Sequence, residues 1–317
     1  MWTNAVNWAG DVLPGSGDQA AFTGVSGTTT LDAAVTVASV IAGATGGAGL
    51  NVLTGGVLNS GAMDFGGYAA SKTGELQVNG GTVNGSSFIR IGNGVNTTGS
   101  VVITSGTIST LTETFTLGYN TGSLGTLNMS GGTINSKYFR FGELAGASGS
   151  AVMSGGSISV SGGTYLGYNG LGNGSMTITG GSLTTALLNI NGSGANIDAY
   201  LALLGGTVEV TGAFFTIGGD DTMHIEGGTF VWDGERLDGL ATMISGGYIT
   251  WTNGQTMLSQ TYDVSWTNGT SILYADYDNI NAGKTTLWAS PIPEPATGLF
   301  MLSGGLAVIF VRSRFLL

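Results

Sequence analysis

A pair of glycines returns along this chain at nearly constant spacing. The pairs are Gly55-Gly56, Gly80-Gly81, Gly131-Gly132, Gly155-Gly156, Gly180-Gly181, Gly205-Gly206, Gly227-Gly228 and Gly246-Gly247, with Ser105-Gly106 in the vacant slot. Successive steps are 25, 25, 26, 24, 25, 25, 22 and 19 residues. A fixed period of this size marks a repeat architecture, in which each unit buries its apolar face only by stacking on its neighbours. Before each pair the residues alternate with period two, as in Leu76-x-Val78, Val101-x-Ile103, Leu127-x-Met129, Met176-x-Ile178, Leu201-x-Leu203 and Met223-x-Ile225. After each pair one slot is always apolar: Leu58, Val83, Ile108, Ile134, Ile158, Leu183, Val208, Phe230 and Ile249. A further signature closes the unit, in Phe88-Ile-Arg-Ile91-Gly92, Phe115-Thr-Leu117-Gly118, Phe139-Arg-Phe141-Gly142, Tyr165-Leu166-Gly167 and Phe215-Thr-Ile217-Gly218.

Each unit therefore holds about three short strands broken by glycine turns. Strands of three to six residues cannot bury a face alone. Stacked along an axis, identical positions form continuous apolar ladders. The expectation is an all-β chain: a single-stranded, right-handed parallel β-helix of about nine coils of about 25 residues. At about 4.8 Å per coil the rod would be about 43 Å long. An antiparallel sandwich also spaces its strands at 8–12 residues, but it does not predict one apolar slot recurring at every period. Beside the glycine pairs stand Thr54, Asn79, Thr104, Ser130, Ser154 and Thr179, expected to form outward polar ladders. Ser and Asn interrupt the Thr register, which disfavours an ice-binding surface.

Composition supports this reading and excludes others. Gly supplies 59 of 317 residues, about 19% against a usual 7% or so, and charged residues only 9%. Gly does not fall at strict thirds, so the chain is not collagen. Mean hydropathy is +0.29, unlike a disordered polar chain. There is no Cys, hence no disulfide framework and no Cys-ligated metal. Lys and Arg total 8 against 19 Asp and Glu, a net charge of −11. That balance argues against a nucleic-acid partner, which would need phosphate neutralisation.

The flanks differ from the repeat. Residues 1–49 read as an N-terminal cap region, 50–250 as the β-helix domain, 251–290 as C-terminal cap strands and 291–317 as a separate tail. The opening segment, with Asn7-Trp8, Pro14, Asp18, Ala20 and Phe22, resembles the start of many secreted bacterial β-helix proteins. The coils themselves resemble autotransporter-type β-helix repeats. In the tail, three of the chain's four prolines fall within Pro291–Pro295. An apolar stretch, 298–311, follows and ends at Arg312 and Arg314. It is short for a spanning helix, which needs about 20 residues, and approaches that length with its neighbours. The two Arg would keep its end cytoplasmic.

Pro293-Glu294-Pro295, the apolar stretch and the Arg pair resemble, in order, the PEP-CTERM sorting signal. The resemblance implies recognition by an exosortase-type membrane transpeptidase, transient inner-membrane anchoring through 298–311, removal of the tail, and a setting rich in exopolysaccharide. Phe315-Leu316-Leu317 depart from the usual basic end. Such proteins carry an N-terminal secretory signal, whereas residues 1–8 show neither a basic region nor an apolar core. The expectation is that translation starts upstream.

Chemistry-bearing residues are sparse. The densest group is Asp220, Asp221, His224, Glu226, Asp233, Glu235, Arg236 and Asp238. His224 and Glu226 flank inward Ile225 and should share an outward face. Asp220, Asp221, His224 and Glu226 are weak candidates for a cation or acid–base site, because zinc needs a third ligand at fixed spacing. No nucleophile elbow, phosphate loop or calcium nonapeptide occurs. We therefore expect no catalytic residues, no metal and no cofactor. The expected product is an exported structural or adhesive surface protein. The alternatives are a β-helix polysaccharide lyase or glycosidase, or a glycan-binding adhesin.

Overall fold

The computed structural model describes residues 1–24, 26–168, 172–191, 199–252, 254–255, 258–259 and 261–292. It is a β-solenoid of about nine turns with three parallel faces. The first face runs from Gly27–Leu31 through Leu124–Met129 to Ile249–Trp251. The second runs from 34–37 through 133–136 to Thr229–Asp233. The third runs from Gln19–Phe22 through 139–141 to 215–217. Parallel stacking thus already includes residues 19–49.

Period-two alternation decides which side chains enter the core. Leu58, Val83, Ile108, Ile134, Ile158, Leu183, Val208 and Phe230 stand in one continuous ladder, each 1% exposed or less. Each fully buried side chain of this kind contributes about 1.5–3 kcal/mol. Ile249 is also buried, but it stacks on Met223 of the first face. The slip has a physical cause. After Thr229–Asp233 the chain forms the helix Leu237–Ser245 in place of a third-face strand. Gly246 accordingly has an ordinary helical φ of −76° and caps that helix.

The third face corrects the signature in two coils. Glycine corners place Ile91 and Leu166 inward, so the residues two before them also point in. These are Ile89 and Thr164, which stack with Phe115, Phe139 and Leu188. Phe88 and Tyr165 fall on the alternate positions and lie at the surface.

Close approach between coils explains the glycines. Gly132 and Gly156 have φ of 77° and 84°, and a Cβ on either would press within 2.7 Å or less of a carbonyl in the preceding coil. At the opposite corner a Cβ on Gly125 would run into the Gly118 amide. The core also holds hydroxyls. Thr110 and Thr185 are buried and donate to the carbonyls of Ser87 and Leu187 at 2.7 Å, satisfying the bend between second and third faces. The outward ladder is joined at its start, where Thr104 donates to Asn79 at 2.6 Å and Asn79 to Asn51 at 2.8 Å.

Both ends are covered. Trp2, Trp8 and Phe22 pack with ring centroids 5.0–5.5 Å apart, and the Trp2 amide donates to Thr30 on the edge strand. At the far end Lys284–Pro291 pairs antiparallel with Thr229–Asp233 and with Ser271–Tyr277, which pairs in turn with Val264–Thr267. Among the described residues no helix is long and apolar enough to cross a membrane. The stretch 298–311 lies outside the described residues.

Candidate functional site

The tail leaves the rod at a well-held point. Pro291 is the last residue of the strand Lys284–Pro291 and pairs with Ser271. A proline has no N–H to extend a ladder, so it suits the last position of the strand. Within this sheet Trp288 is fully buried and stacks on Tyr274 at 5.3 Å. Asp276 accepts the amides of Asn279 and Ile280 at 3.1 and 2.9 Å and fixes the preceding turn. Lys284 forms an ion pair with Glu209 of the coils, and this hydrogen bond pushes its ammonium above the usual range. Pro293, Glu294, Pro295, Arg312 and Arg314 lie outside the described residues.

The acidic region around His224 distributes its side chains over a strand, a turn and a helix start. His224 stands on the strand Thr222–Ile225, and Glu226 follows buried Ile225 in the bend just past its end. Both imidazole nitrogens of His224 contact threonine hydroxyls, Thr250 at 3.0 Å and Thr252 at 3.1 Å. Asp221 turns inward and accepts the Ala199 amide at 2.6 Å, while Asp220 stays on the exposed turn. Glu235 accepts the Leu237 amide at 2.9 Å at the start of the helix, and Arg236 donates to the Asp233 carbonyl at 2.8 Å. Among the described residues no three His, Asp or Glu side chains converge as metal ligands would.

Sequence reasoning missed a feature on the outer side of the third face. Arg90 lies between Phe88 and Tyr119, its guanidinium carbon 3.8 and 3.7 Å from their ring centroids. Arg140 lies 4.0 Å over Tyr168 and pairs with Glu143 at 2.7 Å. Asp64 stands next to Arg90 in the same row and is 1% exposed. Burial pushes its carboxyl up to about 6, against the opposing pull of Tyr68 and Arg90. The available signal was a recurring Gly-Tyr after the third strand, at Gly67-Tyr68, Gly118-Tyr119 and Gly167-Tyr168.

A β-solenoid whose last strand runs into a distinct proline-led segment defines a class: a repeat protein with a separate C-terminal tail. The PEP-CTERM protein-sorting motif matches residues 291–314, beginning on the last residue of the cap strand. The chain carries this signal, which directs exosortase-dependent export and sorting to the cell surface. The search of characterised proteins returns no match, and neither does the search of solved structures.

Proposed function

We propose that this chain is a non-enzymatic structural or adhesive rod at the cell surface, associated with exopolysaccharide. In this reading an exosortase-type transpeptidase recognises Pro293-Glu294-Pro295 while 298–311 anchors the chain briefly in the inner membrane. The observation that supports it best is the direct junction of signal and rod. Residue 291 is both the last residue of the cap sheet and the first of the sorting motif. A transpeptidase acting on the tail would therefore release or attach a body already closed at both ends. A weakly charged, acidic, hydrogen-bonded surface suits a hydrated polymer matrix. The arrangement around His224 offers little to a lyase or glycosidase, since both ring nitrogens already have hydroxyl partners.

Fractionation of cells expressing the chain with and without residues 291–317 tests the proposal. The full chain should reach the surface or medium, and the truncated form should remain in the periplasm. Equal distribution of both forms would overturn it.

A further inference from the structure

The outer side of the third face carries an aromatic strip. Its rows follow the ladder register, so side chains of successive coils stand about 4.8 Å apart. In one row Thr114, Tyr138 and Gly163 are aligned, and further along Leu187 faces Phe214. In the next row Arg90, Thr116, Arg140, Tyr165 and Asn189 succeed one another. Five of the chain's ten tyrosines (68, 119, 138, 165 and 168) belong to this face or its corner. From Phe88 to Phe214 the strip crosses five coil steps, about 24 Å.

The rings are held in place. Tyr138 and Tyr165 lie 6.4 Å apart, and Tyr165 meets Tyr168 edge-on at 5.2 Å. Gly162 and Gly163 interrupt the side-chain row at this point. A Cβ on Gly162 would sit 2.6 Å from the Tyr138 ring, and one on Gly163 would sit 3.0 Å from the Tyr165 ring. Glycine therefore lets the Tyr138 ring rest on the backbone of the next turn and the Tyr165 ring on the backbone of its own strand. Further along, Phe214 is 66% exposed, with no coil face covering it.

We propose that this strip binds a linear, neutral polysaccharide, one chain lying along the rod axis. The proposal rests on the reading of the molecule as a surface rod in a polymer matrix, and it names the surface of contact. A pyranose presents a flat face of C–H groups, which the negative face of an aromatic ring attracts. Its hydroxyls find charged partners beside the rings, in Arg140 and Glu143, and such bonds are the stronger kind. A polymer of sugars repeats its rings along a line, as the coils repeat theirs. Prior stacking of the tyrosines and of Arg90 lowers the entropy lost on binding.

Charge selects among partners. Arg90, Lys137 and Arg140 are offset on this face by Asp64, Glu143 and the nearby Glu113. A stacking platform for single-stranded nucleic acid needs a positively charged groove, and the whole chain carries −11. A protein partner favours a pocketed, desolvated centre, whereas the Tyr138 and Tyr165 rings here stay partly exposed along the strip.

Affinity electrophoresis of the full chain tests the assignment. Native gels would contain hydroxyethylcellulose, galactomannan or dextran as neutral probes, and alginate as a polyanionic one. At least one neutral polymer should retard the protein at low and high salt alike. The Y138A/Y165A variant should lose about tenfold or more in affinity, and Y138F/Y165F should retain it. Tyr262→Ala, on the C-terminal sheet, should bind like the parent. Retardation by alginate alone, a shift with poly(U) alone, no retardation by any neutral polymer, or unchanged binding by Y138A/Y165A would each overturn the proposal. Surface sorting of Y138A/Y165A is measured in parallel. Normal sorting with no neutral-polymer binding by the parent counts against the strip alone, and failed sorting of the parent counts against the surface reading.

Discussion

The middle coils and the C-terminal sheet solve the same problem by opposite means. In the coils every strand finds a parallel neighbour on each side, and one inward slot repeats from Leu58 to Phe230. At the C-terminal end, the strand Thr229–Asp233 meets Lys284–Pro291 running the other way. A parallel ladder has no internal reason to stop, and its open edge invites another chain. The antiparallel sheet ends the stack and covers that edge. It also sets the root of the sorting tail at a fixed place, on a strand held from both sides. Translational regularity makes the rod, and breaking it makes the end of the rod addressable.

This contrast predicts unequal tolerance to the same kind of change. Gly125→Val places a side chain against the Gly118 amide and the Ile91 carbonyl in a tight corner of the coils. It should cost more than about 4 kcal/mol, or prevent folding, in urea titration. Gly283→Ala in the C-terminal sheet has open space around it and a φ of 70°. Its cost should be about 1–2 kcal/mol, from the backbone alone. Comparable losses at both positions would erase the distinction between the two regions.

Truncation within a ladder comes next. Phe139→Ala removes a fully buried ring that packs on Phe115 at 5.4 Å and Phe141 at 4.5 Å. A loss of about 3–5 kcal/mol is expected in thermal or urea unfolding. Since coils contact mainly their neighbours, amide exchange should accelerate first in adjacent turns and last in the C-terminal sheet.

Asp64 gives a pH test confined to the coils. Its carboxyl moves from an ordinary 3.8 to about 6 because burial penalises its charge. The folded protein therefore binds this proton more tightly than the unfolded chain, and stability should fall as pH rises from about 4 to 6. Asp64→Asn should remove that fall and raise stability above pH 6 by up to about 3 kcal/mol. An unchanged pH profile would place the carboxyl in wetter surroundings. The smallest effect belongs to the ion pair of Lys284 and Glu209, which ties the sheet to the coils. Both side chains are about 30% exposed, so Glu209→Gln should cost under about 1 kcal/mol, less still at high salt.

How far the sequence could be read follows from what repeats. Apolar slots at a constant step are visible because burial excludes polar residues there, and Leu58 through Phe230 were legible for that reason. Ile249 has the right chemistry in the wrong ladder. The shortened steps of 22 and 19 residues signalled a change that apolarity alone could not describe. Nothing in the sequence marks Thr110 and Thr185 as interior, yet both are buried and bond carbonyls at the bend. Phe88 and Tyr165 share the closing signature with Phe115 and Phe139, yet corner glycines fix a phase that turns these two out. The strip escaped notice because its members sit 20–30 residues apart and become neighbours only after coiling. The sorting tail was legible because its signal is contiguous. The acidic residues around His224 are close in sequence, but strand, turn and helix separate their side chains.

The central claim is that the closed rod is delivered by its tail. Pulse-labelling of the full chain in cells with and without a functional exosortase tests it most directly. The account predicts a shortened form at the surface or in the medium when the enzyme is present, and a full-length, membrane-retained form when it is absent. The same mass and the same location in both strains would contradict it.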